Sequence, residues 1–170
     1  MLFTITGKHF EITDETKISI QPLTCKQFEY YRNVFIAKDK VRVFGTGDNY
    51  AVFLDGFIFG FLSYKPTAGK DMIMLLSDFI IDNRKYKRIS KLVIMVAKCA
   101  EMRELIEQKN KKLFDMILTK VYTKSPVSMK YRGEWKKSKT DGEGLTYRAR
   151  FGELTLDEEW QKWLKKHKNK

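Results

Sequence analysis

Met72-Ile-Met-Leu-Leu-Ser-Asp-Phe-Ile-Ile-Asp82 holds the longest apolar stretches of a 170-residue chain, and its continuation decides the fold. Both faces of the run are apolar over most of its length, which predicts a strand buried on both sides. Arg84-Lys85-Tyr86-Lys87-Arg88 follows as a basic loop. Leu92, Val93, Val96, Ala100, Leu105 and Ile106 then recur at near-helical spacing, predicting one long helix from Ile89 to about Asn110. Leu113 to Thr123 returns as a strand. Strand, helix and strand in that succession require a parallel pair joined by a crossover.

Working outward, Tyr50-Ala-Val-Phe-Leu54 and Phe57 to Tyr64 flank Asp55-Gly56, the signature of a hairpin closed by a type I′ turn. Thr24 and Gln27 form a capping box for a helix through about Ala37, with Phe28, Tyr31 and Phe35 as its apolar stripe. Ile18 to Gln21 alternates as a strand, and Leu2–Thr6 and His9–Thr13 read as two short strands around Gly7. Downstream, Pro126 opens a short helix or turn, and Trp135–Lys139 pairs with Leu145–Phe151 as a last hairpin. Thr155 and Glu158 cap a terminal helix carrying Trp160, Trp163 and Leu164 on one face. The expected fold is α/β: a mixed central sheet, antiparallel turning parallel, flanked by helices in a single domain. Residues 1–155 form that domain, and residues 156–170 a C-terminal helix and basic tail.

A hydrophobic fraction of 43% is enough to build a core. The net charge of +12 exceeds what solubility requires and favours a polyanionic partner such as nucleic acid or a phosphate-bearing cofactor. No apolar stretch is long enough to span a bilayer, and the N-terminus has no basic leader before an apolar segment. The expectation is a soluble, cytoplasmic protein without membrane attachment; oligomeric state stays open. Cys25 and Cys99 are too far apart for a disulfide framework or zinc pattern and read as reduced, partly buried thiols. With His9 and His167 as the whole histidine complement, no His-rich metal site is expected.

Asp78 interrupts an apolar strand, where a carboxylate is costly unless paired or useful. Two roles stand open: a base whose environment tunes it, or the anionic half of a salt bridge to the basic loop. Basic residues gather in two places. One is Arg84, Lys85, Lys87, Arg88 and Lys91; the other includes Lys120, Lys124, Lys130, Arg132, Lys136 and Lys137. Tyr122, Tyr131 and Trp135 are interleaved with the second cluster and could stack an extruded base. Ser77 and Ser128 are candidates to orient a substrate, or local caps.

The order of elements is similar to that of the GCN5-related N-acyltransferases. Three stretches also resemble a phage-encoded group related to Mom-type DNA modification proteins: Ser77-Asp78-Phe79, Tyr86-Lys-Arg-Ile-Ser-Lys-Leu92 and Ser125-Pro-Val-Ser-Met-Lys-Tyr-Arg-Gly133. The match spans roughly residues 48 to 152. The resemblance implies acetyl-CoA or another acyl-CoA held between splayed strands along Phe79, Ile80 and Ile81. It places the pyrophosphate at Arg84, Lys87, Arg88 and Ser90. It implies Tyr131 as the acid for the departing thiolate; Asp78 is the candidate base beside it, and Ser128 a candidate to orient the substrate or bond the cofactor. It implies DNA as the partner and a modified base that resists restriction nucleases; the second basic cluster makes Lys124, Lys130, Arg132, Trp135, Lys136 and Lys137 the candidate contacts. The family's pyrophosphate loop is glycine-rich, whereas residues 84–90 contain no glycine; charge from Arg84, Lys87, Arg88 and Lys91 would replace close backbone approach. A protein keeping the fold to bind nucleic acid or inhibit a host factor without catalysis is the alternative. A protein or small-amine N-acetyltransferase is a third reading.

Overall fold

A computed structural model describes residues 11–35, 47–68, 71–81, 86, 88–121, 126–138 and 144–167, with the backbone alone for residues 126–128. The strands are β1 (Ile18–Leu23), β2 (Asp48–Leu54), β3 (Phe57–Pro66), β4 (Met72–Ile80), β5 (Met116–Val121), β6 (Lys136–Lys137) and β7 (Leu145–Arg150). They form one sheet in the order β1-β2-β3-β4-β5-β7-β6. Every neighbouring pair is antiparallel except β4 with β5, so the sheet turns parallel at the strand–helix–strand unit. The helices are α1 (Cys25–Phe35), α2 (Ile89–Val96), α3 (Ala100–Asn110) and α4 (Leu156–His167), and a 3₁₀ turn runs from Pro126 to Tyr131. None of the described helices is long and apolar enough to cross a membrane.

Local chemistry explains most boundaries. Asp55 and Gly56 take φ of 47° and 79°, the positive values that a type I′ turn demands. Thr24 and Gln27 exchange backbone and side-chain bonds at the start of α1, as do Thr155 and Glu158 at the start of α4. Gly60 lets α2 approach β3, because a Cβ there would sit 2.5 Å from Val93 Cγ2.

Three expectations need correction. The long helix breaks: Cys99 is extended at ψ 165°, separating α2 from α3. The carbonyls freed at the break find distant donors. Ile94 O accepts the Trp135 indole, Ala97 O the Tyr64 hydroxyl and Lys98 O the Gly152 amide, at 2.8–3.0 Å. Those long-range caps make an interruption affordable where no glycine or proline marks one. Second, β4 is not buried on both faces. It ends at Ile80, and Leu76 is 42% exposed. Third, residues 11–13 are not strand; the segments before residue 11 lie outside the described residues.

The main core lies between the sheet and α2, α3 and α4, with Trp160 and Trp163 of α4 fully enclosed in it. Helix α4 is thus packed into the same core as the rest. A smaller cluster joins Phe28 and Tyr31 of α1 to Phe61 and Phe79 on the other face.

Candidate active site

The gap between β4 and β5 positions the site. Their parallel ladder covers only Met72–Met74 against Met116–Leu118, yet β4 runs on to Ile80 and β5 to Val121. Beyond Leu118 the strands part. Thr119 bridges the fork, donating its hydroxyl to Leu75 O at 2.9 Å.

A bulge aims the side chains. Ser63 pairs with Ser77 and Tyr64 with Leu75, so Leu76 is an extra residue in β4. One inserted residue reverses which face each later side chain takes. Before it, Ile73 and Leu75 face the main core; after it, Asp78 and Ile80 do, while Ser77 and Phe79 turn to α1. Without the bulge Asp78 would point to the wrong side of the sheet.

On the core side the Tyr131 hydroxyl donates to Asp78 Oδ1 at 2.5 Å, and the Lys130 ammonium pairs with Asp78 Oδ2. The salt bridge foreseen for Asp78 therefore exists, but to the 3₁₀ turn rather than to the basic loop. The Tyr131 ring is 1% exposed, stacked on Tyr147 at 5.1 Å and edge-on to Trp135. Burial, then the adjacent Asp78 carboxylate and its hydrogen bond, push the Tyr131 hydroxyl far above its ordinary pKa. It stays protonated at any working pH. Thr119 completes the set, with its hydroxyl also against that of Tyr131. Sequence reading missed it, although a lone threonine on the inward face of β5, two residues from Ile117, was the available signal.

Backbone groups line the gap as well. The Ile81 amide bonds Phe59 O on β3, so by antiparallel alternation the N–H groups of Asp78 and Ile80 face away from β3 into the opening. Of the three backbone positions expected there, Ile80 qualifies. Phe79 and Ile81 are turned to β3, with their side chains in the α1 cluster. At the wide end, no side chain caps the N-terminus of α2 and no acidic residue stands in its first turn. Trp163 Nε1 holds Arg88 O and Lys91 Nζ holds Arg132 O, tying that end to α4 and to the 3₁₀ turn. The Ile89 and Lys91 amides already donate to Tyr86 O and Arg88 O, so it is the helix dipole, with Arg88 and Ser90 beside it, that suits a pyrophosphate. Arg84, Lys87 and Lys124 lie outside the described residues, as does the Ser128 side chain.

The expected nucleic-acid set divides. Arg132, Lys136 and Lys137 are exposed. Lys130 is engaged with Asp78, and Trp135 is 5% exposed with its indole on Ile94 O, so it cannot stack an incoming base. Tyr131 is enclosed likewise. Among the described residues, no three His, Cys, Asp or Glu side chains gather as a metal site would need.

This architecture is that of the N-acetyltransferase fold. The chain superposes with TM-score 0.53 on a putative acetyltransferase of the GNAT family from Desulfovibrio desulfuricans, at 11% identity over 79% of this chain and 99% of the other. With the ribosomal-protein-S18-alanine N-acetyltransferase of Escherichia coli the TM-score is 0.52, at 9% identity over 80% and 95%. With Arabidopsis thaliana Naa50, solved with the bisubstrate analogue CoA-Ac-MVNAL, it is 0.50, at 9% over 79% and 99%. No curated protein matches the chain by sequence. The family model of the phage GNAT-like domain matches residues 15–168, and the chain belongs to that family.

Proposed function

We propose that the protein is an acyl-CoA-dependent N-acyltransferase that modifies a base in DNA, an adenine or an already modified pyrimidine. The observation that carries the enzymatic reading is the Asp78–Tyr131 pair at the fork of β4 and β5. The thioester would enter the fork with its pyrophosphate at the start of α2, near Arg88 and Ser90. The fold relative Naa50 was solved with a bisubstrate analogue that contains CoA, which supports a CoA-borne donor. The charge of +12 supports a polyanionic acceptor.

Transfer requires a base for the amine, a donor for the oxyanion and an acid for the thiolate. Asp78 takes the amine proton, and the outward amide of Ile80 faces the oxyanion. Tyr131 alone is a poor acid: an ordinary phenol stands about 1.5 pKa units above a thiol, roughly 2 kcal/mol uphill, and burial widens the difference. The hydrogen bond to Asp78 resolves this. As Tyr131 gives its proton to the leaving sulfur, Asp78 returns to Tyr131 the proton taken from the amine. The N–H proton ends on sulfur, the C–S bond is replaced by C–N, and neither side chain keeps a charge change. Such a modification would shield DNA from restriction nucleases.

Incubation with acetyl-CoA and DNA, digestion to nucleosides and mass spectrometry tests the proposal. An acetylated nucleoside is expected; acetylated protein without one would point instead to a protein N-acetyltransferase. The lack of glycine in residues 84–90 favours one rival, a fold that binds without catalysis. Acetyl-CoA at a hundredfold excess over its Kd should stabilise an enzyme by about 2.7 kcal/mol. That is roughly 5–11 °C in Tm for this size. A binding-only protein would show no shift.

A further inference from the structure

The side of the fork facing α1 carries charge of its own. The bulge sends Ser77 there, and Arg32 Nη1 of α1 donates to Ser77 Oγ at 2.7 Å. No carboxylate pairs with Arg32 among the described residues, and burial lowers its pKa. A half-buried guanidinium held by a neutral hydroxyl keeps most of its five N–H donors for a ligand.

The same face continues over β5, β7 and β6. Lys136 stands directly opposite Arg148, and Arg150 follows two residues along. All three are exposed, and none forms an ion pair among the described residues. Like charges directly opposed across strands destabilise a sheet, and an anion lying over both relieves that repulsion. Helices α2, α3 and α4 pack on the other face, where Ile117 and Tyr147 are buried. Among the described residues no helix covers Leu118, Thr146 and Arg148 on this one. From β4 to β6 is three strand spacings, roughly 14 Å, room for several successive phosphates.

We infer that this uncovered face, continued by Arg32, is the track on which the sugar–phosphate backbone of the nucleic-acid acceptor lies. The acceptor's backbone lies on the α1 side, and its base passes through the fork to reach Asp78 on the core side, where the thioester lies. The inference rests on the nucleic-acid reading above and moves the main contact from the 3₁₀ turn to the sheet. Two of the three exposed cations are arginines, whose planar fork takes a phosphate bidentately.

Fluorescence anisotropy with short labelled single-stranded and duplex DNA, at several salt concentrations, tests it. The double variant Lys136→Gln/Arg148→Gln should weaken binding about tenfold and flatten the log–log salt slope by roughly 1.5. Arg32→Gln should add a further loss, and circular dichroism should confirm that exposed substitutions leave the fold intact. Removing two charges elsewhere, by Lys165→Gln/Lys166→Gln on α4, should change affinity no more than about twofold. Wild-type affinity in the Lys136/Arg148 variant, with binding lost in Arg132→Gln/Lys137→Gln, would overturn the track and leave the nucleic-acid reading standing. An equal loss in the α4 control would reduce the effect to net charge and likewise overturn it. Wild-type protein that binds polyglutamate more tightly than either DNA would sink the nucleic-acid reading itself.

Discussion

Replacing Tyr131 by phenylalanine removes one oxygen from a fully enclosed ring and tests whether Tyr131 and Asp78 work as a unit. The ring keeps its stack on Tyr147 and its edge contact with Trp135, so packing survives. What is lost is a 2.5 Å hydrogen bond to a charged acceptor, worth about 1.5–3 kcal/mol. The melting temperature should fall by roughly 3–12 °C, leaving a folded protein at room temperature. Turnover is a separate quantity. Removing a general acid lowers the rate about 10²–10⁴-fold, and Asp78→Asn should do the same through the base. If one proton circulates through the pair, either substitution breaks the circuit, and the double variant should be no slower than the worse single. The assay is thiol release from acetyl-CoA in the presence of DNA, with digested nucleosides weighed in parallel. Losses that multiply in the double variant would refute the relay, because two independent groups behave that way. Wild-type turnover in Tyr131→Phe would remove Tyr131 from the chemistry altogether.

Other consequences concern the core. Lys98 pairs with Glu159, which is 0% exposed and has Lys162 at 3.9 Å as its remaining cation. Lys98→Met should therefore cost about 3–5 kcal/mol in denaturant unfolding, and Lys98→Met/Glu159→Leu should recover most of it; equal losses would show that the pair is not the cause. Burial raises Cys99 to about 12, while Cys25 is exposed. A thiol reagent at neutral pH should accordingly modify one cysteine in the native protein and both after unfolding. Burial and the nearby Asp48 carboxylate raise Tyr50 to about 12, and Tyr64 and Tyr131 are raised as well. Above about pH 10 the unfolded chain releases protons that the folded one retains. Stability present below that pH should then fall by about 1.4 kcal/mol per unit for each such group. Urea unfolding midpoints that hold constant between pH 9 and 11 would contradict this.

What the sequence revealed and what it concealed divide along a physical line. Asp55-Gly56, Thr24 with Gln27 and Thr155 with Glu158 act within a few residues of themselves, so their turn and caps were readable directly. The interruption at Ala97–Cys99 was not, because the donors that stabilise it belong to Tyr64, Trp135 and Gly152, dozens of residues away. Lys98 sits in an apolar helical pattern that no local rule would interrupt; its reason is Glu159 on α4.

The candidate site shows the same division more sharply. Asp78 stood out as a lone carboxylate within an apolar strand, and Tyr131 through a family resemblance. Neither could indicate that the two share a face, since that depends on the extra residue at Leu76, and a bulge leaves no mark in residue type. The same slip sets Ser77 against Arg32 on the opposite side. One inserted residue thus gives the sheet two chemically different faces at a single fork, the Asp78–Tyr131 pair on the α2 side and the Arg32 guanidinium on the α1 side.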